Sequence, residues 1–137
     1  MTVPWHDQSD IDFMLDEAKT WAVVGLSDNR ERVAYEIASL LQSRGKRIVP
    51  VHPKAETVLG EPGYASLADI PFEVDVVDVF VRSELAGPVV DEAVAIGAKG
   101  VWLQLGVLDQ DAWQRATEAG VRTVMDTCPA IEWRKQR

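Results

Sequence analysis

The chain has 137 residues, 47% of them hydrophobic and 26% charged, with 14 Lys and Arg against 22 Asp and Glu for a formal net charge of −8. This is the length and composition of one ordinary globular domain, and the acidic balance argues against a nucleic-acid or anionic-membrane surface. No apolar run approaches the ~18 residues of a membrane span, and the acidic start of the chain, with Asp7, Asp10 and Asp12, does not read as a secretion signal.

In chain order, Ser9 precedes Asp10 and Asp12, and Ile11, Phe13, Met14 and Leu15 fall at helical spacing; this predicts an amino-terminal helix over 10–19 packed on the rest. The apolar run 21–25 ends at Gly25 and predicts a strand. Val33, Ile37, Leu40 and Leu41 lie on one face of a helix over 32–44, stopped by Gly45, and a second strand at 48–51 completes a right-handed βαβ unit. Residues 52–64, rich in Pro and Gly, read as a loop with one short edge strand, and Ser66 opens a helical turn over 67–70. The β-branched run 74–81 predicts the third long strand. Then come a helix over 85–96, a strand over 100–106, a helix over 109–119 and a last strand over 121–125. Strands alternating with helices predict a Rossmann-like, doubly wound, mainly parallel five-stranded α/β sheet, in the order 3-2-1-4-5 with helices on both faces.

Ligands of such sheets lie outside the carboxyl ends of the strands, where the strand order reverses. Gly25 there permits close approach of a phosphate, Ser27 offers a hydroxyl, and the start of the next helix favours negative charge. The dinucleotide fingerprint G-x-G-x-x-G is incomplete, because Ser27 stands where a second glycine would fall. After the second strand stands Val51-His52-Pro53-Lys54 rather than the acidic residue that holds a nicotinamide ribose, which disfavours NAD and tolerates a nucleotide with an extra phosphate. Lys54 and Arg82, with Arg30 or Arg32, supply the local cations that an anionic ligand requires on an acidic chain. Arg30 and Arg32 also read as solvated first-turn residues. Trp102 reads as core, and Gln104 at a strand end as a hydrogen-bonding group. The single cysteine, Cys128, excludes an internal disulfide, fits a reducing, cytoplasmic setting, and reads more readily as a small buried group than as a nucleophile. His6 and His52 alone do not suggest a zinc site, and no catalytic motif is found.

Four stretches then stand in a telling order: Ala22-Val23-Val24-Gly25-Leu26-Ser27; Ile48-Val49-Pro50-Val51-His52-Pro53-Lys54; Val77-Asp78-Val79-Phe80-Val81-Arg82; and Lys99-Gly100-Val101-Trp102-Leu103-Gln104-Leu105-Gly106. Together with Asp126-Thr127-Cys128-Pro129 and Glu132, they resemble the small stand-alone CoA-binding proteins, similar to the amino-terminal domain of the succinyl-CoA synthetase alpha subunit. The likeness covers residues 15–133. It implies that the turn of Gly25, Leu26, Ser27, Asn29 and Arg30 holds the CoA pyrophosphate and that Pro53 and Lys54 lie along the nucleotide, Lys54 toward the 3′-phosphate. It further implies that Phe80, Val81 and Arg82 border the adenine, and that Gln104 and Gly106 border the pantetheine. The family often has Asn at the place of His52, Ser at Ala34, and Arg at Val81 and Thr127.

The synthetase's phosphorylated histidine belongs to a second domain, so ligase activity is not carried over. The resulting expectation is one domain over 1–137 that binds CoA or a short acyl-CoA without catalysis. A small NAD(P)-dependent oxidoreductase or redox sensor is the alternative from another class, and an interaction module with a vestigial ligand site is a third. A protein partner or a homodimer stays open.

Overall fold

In the computed structural model, which describes residues 3–136, five parallel strands form the centre. They are β1 (Thr20–Val24), β2 (Arg47–Val51), β3 (Val76–Val79), β4 (Gly100–Leu103) and β5 (Arg122–Val124). The helices are α1 (Gln8–Asp12), α2 (Val33–Ser43), α3 (Ser83–Ala95), α4 (Gln110–Glu118) and α5 (Pro129–Lys135). The strands are almost unbroken apolar runs because both faces of the sheet are covered. On one face Trp21, Val23, Ile48, Val76 and Trp102 pack with Ile37 and Leu41 of α2 and Trp133 of α5. On the other, Ala22, Val49, Val77, Val79, Val101 and Leu103 meet Ala86, Val90 and Ala93 of α3 and Ala112 and Ala116 of α4. The alanines let α3 and α4 lie close to the sheet.

This is the Rossmann-like α/β sheet that the alternation of elements predicts, but its order is β2-β1-β3-β4-β5 rather than 3-2-1-4-5. β3 lies on the far side of β1 from β2, so that Val23 stands opposite Pro50 on one side and Asp78 on the other. The outer edge of β2 is taken by the 52–64 segment, where Tyr64 makes a parallel bridge to Val51 and the Tyr64 N–H donates to the Pro50 carbonyl at 3.0 Å. That bridge is all there is of the expected edge strand, and it occupies the place that the patterning assigns to the third long strand.

The ends of the chain also differ from expectation. The cap of the first helix is Asp7, whose carboxylate accepts from the Asp10 N–H at 3.1 Å, and Ser9 lies inside α1. The helix then widens into a π turn over Phe13–Glu17, closed by the Ala18 N–H on the Phe13 carbonyl at 3.0 Å, so the expected helix over 10–19 is two pieces. Ile11, Met14 and Leu15 are all buried by this arrangement. His6 Nε2 donates to the Met125 carbonyl at 2.8 Å and ties the amino terminus to the end of β5. At the other end, α5 is a helix that no periodicity announces: seven residues are too few to show one, although Pro129 at its first position suits a helix start. Among the described residues no helix is long and apolar enough to cross a membrane.

Candidate functional site

β1 sends the chain to α2 on one face of the sheet, and its neighbour β3 sends it to α3 on the other, so a crevice opens between their carboxyl ends. Two cavities flank this point. One, of about 590 Å³, lies on the α3 side between Gly25, Pro53, Ser66 and the helix residues Leu85 and Val89. The other, of about 570 Å³, lies on the α2 and α5 side among Val33, Ile37, Gln104, Cys128 and Ile131. Phe80, Val81 and Arg82 line both. A smaller hollow of about 280 Å³ at the start of α2 shares Gly25, Arg32 and Phe80 with the first cavity and Val33 and Phe80 with the second. Each large cavity falls within the ordinary range of small-molecule sites.

The turn after β1 explains why the hollow exists. Gly25 has φ +99°, and a Cβ there would lie 2.7 Å from the Phe80 carbonyl oxygen. Only glycine allows β1 and the β3 end to approach this closely while the chain turns away. Ser27 Oγ accepts from the Asn29 N–H at 3.3 Å and Asn29 Oδ1 accepts from the Glu31 N–H at 3.1 Å, so these two side chains shape the turn itself. Leu26 is buried in the core, and the Arg30 guanidinium stands 5.9 Å from the Tyr35 ring centre. The cation that lines both the first cavity and the hollow is Arg32, the residue at the start of α2. Arg82 stands in the corresponding place before α3. Against a single carboxylate, Glu92, the two arginines give the first cavity a net positive lining on an acidic protein.

Of the residues singled out from the sequence, Gly25, Pro53, Phe80, Val81, Arg82 and Gln104 line the cavities. Leu26, Ser27, Asn29, Arg30, Lys54 and Gly106 do not. Lys54 is exposed beside the mouth, its N–H bonded to His52 Nδ1 at 3.2 Å. Gly106 gives its N–H to Asp126 Oδ1 at 2.8 Å, which holds the loop so that its neighbours Leu105 and Val107 form cavity wall. Sequence reasoning left Arg32 as one of two alternatives and had no way to place Ala130, Ile131 and Arg134, which depend on α5. Ser66 and Glu92 carry no sequence signal beyond their polarity. Thr127, where the family often has Arg, is buried, donates to Glu132 Oε2 at 2.6 Å, and accepts from Trp102 Nε1 at its carbonyl at 3.0 Å. It fastens α5 to the sheet.

Gln104, in the wall of the second cavity, is backed by a buried carboxylate, Asp78. Gln104 is 4% exposed, and its Nε2 donates to Asp78 Oδ1 at 2.9 Å. Asp78 is fully buried and its Oδ2 has no hydrogen-bond partner. Burial pushes its carboxyl up to about 8, against the opposing pull of the Gln104 amide and the Val79 N–H. Burial also raises the thiol of Cys128, and the Asp78 charge adds to the effect, while the Ala130 and Ile131 N–H groups act in the other direction. Among the described residues no cluster of three or more His, Cys, Asp or Glu could hold a metal ion.

Residues 19–134 match the model of a CoA binding domain. The chain is 35% identical over 121 residues to the protein YneT of Bacillus subtilis (strain 168), covering 88% of this chain and 90% of that one. It is 32% identical over 81 residues to the alpha subunit of an ADP-forming acetate–CoA ligase II of Pyrococcus furiosus, a match that covers 58% of this chain and 18% of the subunit. A solved structure of a protein from Pyrococcus horikoshii OT3 superposes with a TM-score of 0.91 at 35% identity, covering 98% of this chain and 96% of that one.

Proposed function

The chain belongs to the CoA binding domain family, and we propose that it acts as one domain that binds coenzyme A or a short acyl-CoA without catalysing a reaction on it. The observation that carries this reading is the pair of cavities joined at Phe80, Val81 and Arg82, each mainly apolar with two arginines against one carboxylate: Arg32 and Arg82 with Glu92 in the first, Arg82 and Arg134 with Glu36 in the second. CoA has the matching parts: an anionic adenine nucleotide, a pyrophosphate, and a long tail that ends in sulfur. The adenine nucleotide would lie between Pro53 and α3, with Arg82 and the nearby Lys54 serving the 3′-phosphate. The pyrophosphate would cross the hollow at Gly25, where Arg32 and the free N–H groups at the start of α2 favour negative charge. Pantetheine would then run past Val33 and Ile37 toward Gln104.

Thermal unfolding with CoA, dephospho-CoA, NADP and NAD at equal concentrations tests the reading. A ligand that binds only the folded chain stabilises it by about 2.7 kcal/mol at a hundred times its Kd. CoA is expected to give the largest shift and dephospho-CoA a smaller one. A larger shift from NADP or NAD would overturn the proposal in favour of a dinucleotide protein. No shift from any of the four would point to an interaction module.

A further inference from the structure

The first cavity runs along one side of α3. Arg82 stands just before that helix, and Leu85, Pro88, Val89 and Glu92 follow at i, i+3, i+4 and i+7, all of them in the cavity lining. The rise of the helix puts Glu92 about 15 Å from Arg82, so the lining carries a cation at one end and a carboxylate nearly three turns away, with three apolar side chains between them. That carboxylate is fixed. Glu92 Oε1 accepts from the Leu67 N–H at 2.9 Å and ties α3 to the 65–67 segment, which is also part of the lining. Among the described residues Glu92 Oε2 has no hydrogen-bond partner, and Glu92 enters no ion pair. Ser66 lines the cavity too, and it opens the turn over Leu67–Asp69 without capping it, so its hydroxyl is uncommitted. A spare acceptor and a spare hydroxyl therefore flank one peptide link, that between Ser66 and Leu67. Anchoring the Leu67 N–H accounts for one oxygen of the carboxylate. It leaves the other, and the hydroxyl, in the wall of a cavity of ligand-site size.

Resting on the CoA reading above, we propose that Glu92 and Ser66 read the base of the nucleotide and select adenine. The edge of adenine carries a 6-amino donor beside the N1 acceptor. Glu92 Oε2 accepts from the 6-amino group, and the Ser66 hydroxyl donates to N1. Charge sets the direction of the ligand: the phosphates go to Arg82 and Arg32, and the carboxylate turns them away from its own end of the cavity. Hypoxanthine presents the same edge inverted, with a carbonyl oxygen at position 6 and an N–H at position 1. It sets an acceptor against the carboxylate and leaves Oε2 without its donor. A site built on hydrogen bonds discriminates strongly between such ligands, because the wrong one leaves polar groups unpaired. Glu92 and Ser66 thus determine specificity for the base, while the arginines serve any nucleotide.

The experiment is calorimetric titration of the full chain with CoA and with its deaminated analogue, in which hypoxanthine replaces adenine. The unaltered chain should bind CoA at least about tenfold more tightly than the analogue. Glu92→Gln keeps an oxygen for the Leu67 N–H and puts an amide donor in place of Oε2. It should lose affinity for CoA and gain it for the analogue, so that the ratio between the two falls by about tenfold or more. Ser66→Ala should weaken CoA about threefold or more, and unchanged affinity there removes Ser66 from the site. If Glu92 only anchors the 65–67 segment, Glu92→Gln moves both ligands together and the ratio stays as it was, which overturns the proposal. Equal affinities of the unaltered chain for CoA and the analogue overturn it as well, whether or not the variants fold, and leave the CoA reading standing. Binding of neither ligand overturns both.

Discussion

Replacing Asp78 by Asn should change how stability depends on pH. In the folded chain the carboxyl is pushed up to about 8 from its ordinary 3.8, so between those values the folded protein keeps a proton that the unfolded chain has released. The unfolded state therefore binds fewer protons, and stability falls as pH rises, by about 1.4 kcal/mol per pH unit. The accumulated cost is about 4 kcal/mol at pH 7 and about 5 kcal/mol at pH 8. Asn keeps an oxygen to accept from Gln104 Nε2 but never ionises. Its amide nitrogen falls where Oδ2 has no partner, at a cost of about 1–3 kcal/mol that does not vary with pH. Urea denaturation of both proteins at pH 5, 6, 7 and 8 measures the difference. The variant should gain on the parent at every step, with the gap widening by about 1 kcal/mol or more per unit. Parallel stability profiles would refute the assignment of a proton to buried Asp78.

Arg32→Ala and Arg82→Ala should each lower CoA affinity by about tenfold or more, as expected for losing one charge-assisted contact. Lys54→Ala, an exposed residue outside both linings, should cost less; calorimetric titration ranks the three, and a larger effect at Lys54 would move the 3′-phosphate toward the loop. Gly25→Ala puts a Cβ against the Phe80 carbonyl at positive φ and should destabilise the chain by about 2–3 kcal/mol, with CoA binding reduced beyond that of a merely less stable protein. Trp102→Phe removes the donor to the buried Thr127 carbonyl and should cost about 2–4 kcal/mol in urea denaturation while leaving the circular dichroism spectrum unchanged.

The strands and long helices were legible in the sequence because buried parallel strands are dense in β-branched residues and α2 carries one apolar face, from Ile37 through Leu41. Strand order was not, since which side of β1 receives β3 depends on what fills the outer edge of β2, and a single bridge at Tyr64 has no periodicity to announce it. The first cavity was half visible: Gly25, Pro53 and Arg82 sit at strand ends, where position alone suggests a role. Asp78 and Gln104 show the limit of that logic. They are 26 residues apart, and only the pairing of β3 with β4 brings them within 2.9 Å. Cys128 read as a small buried group, and it is buried. Its place in a cavity wall follows from α5, whose seven residues are too short to carry a pattern.

The most direct test of the central claim is an amide NMR titration with CoA. The account predicts shifts that trace one path, from the 52–54 loop and Leu85 through Gly25 and Arg32 to Gln104 and Ile131. Adenosine 3′,5′-bisphosphate should move only the first part of it, and pantetheine only the last. Shifts confined to one cavity, or lying away from the carboxyl ends of β1 and β3, would contradict it.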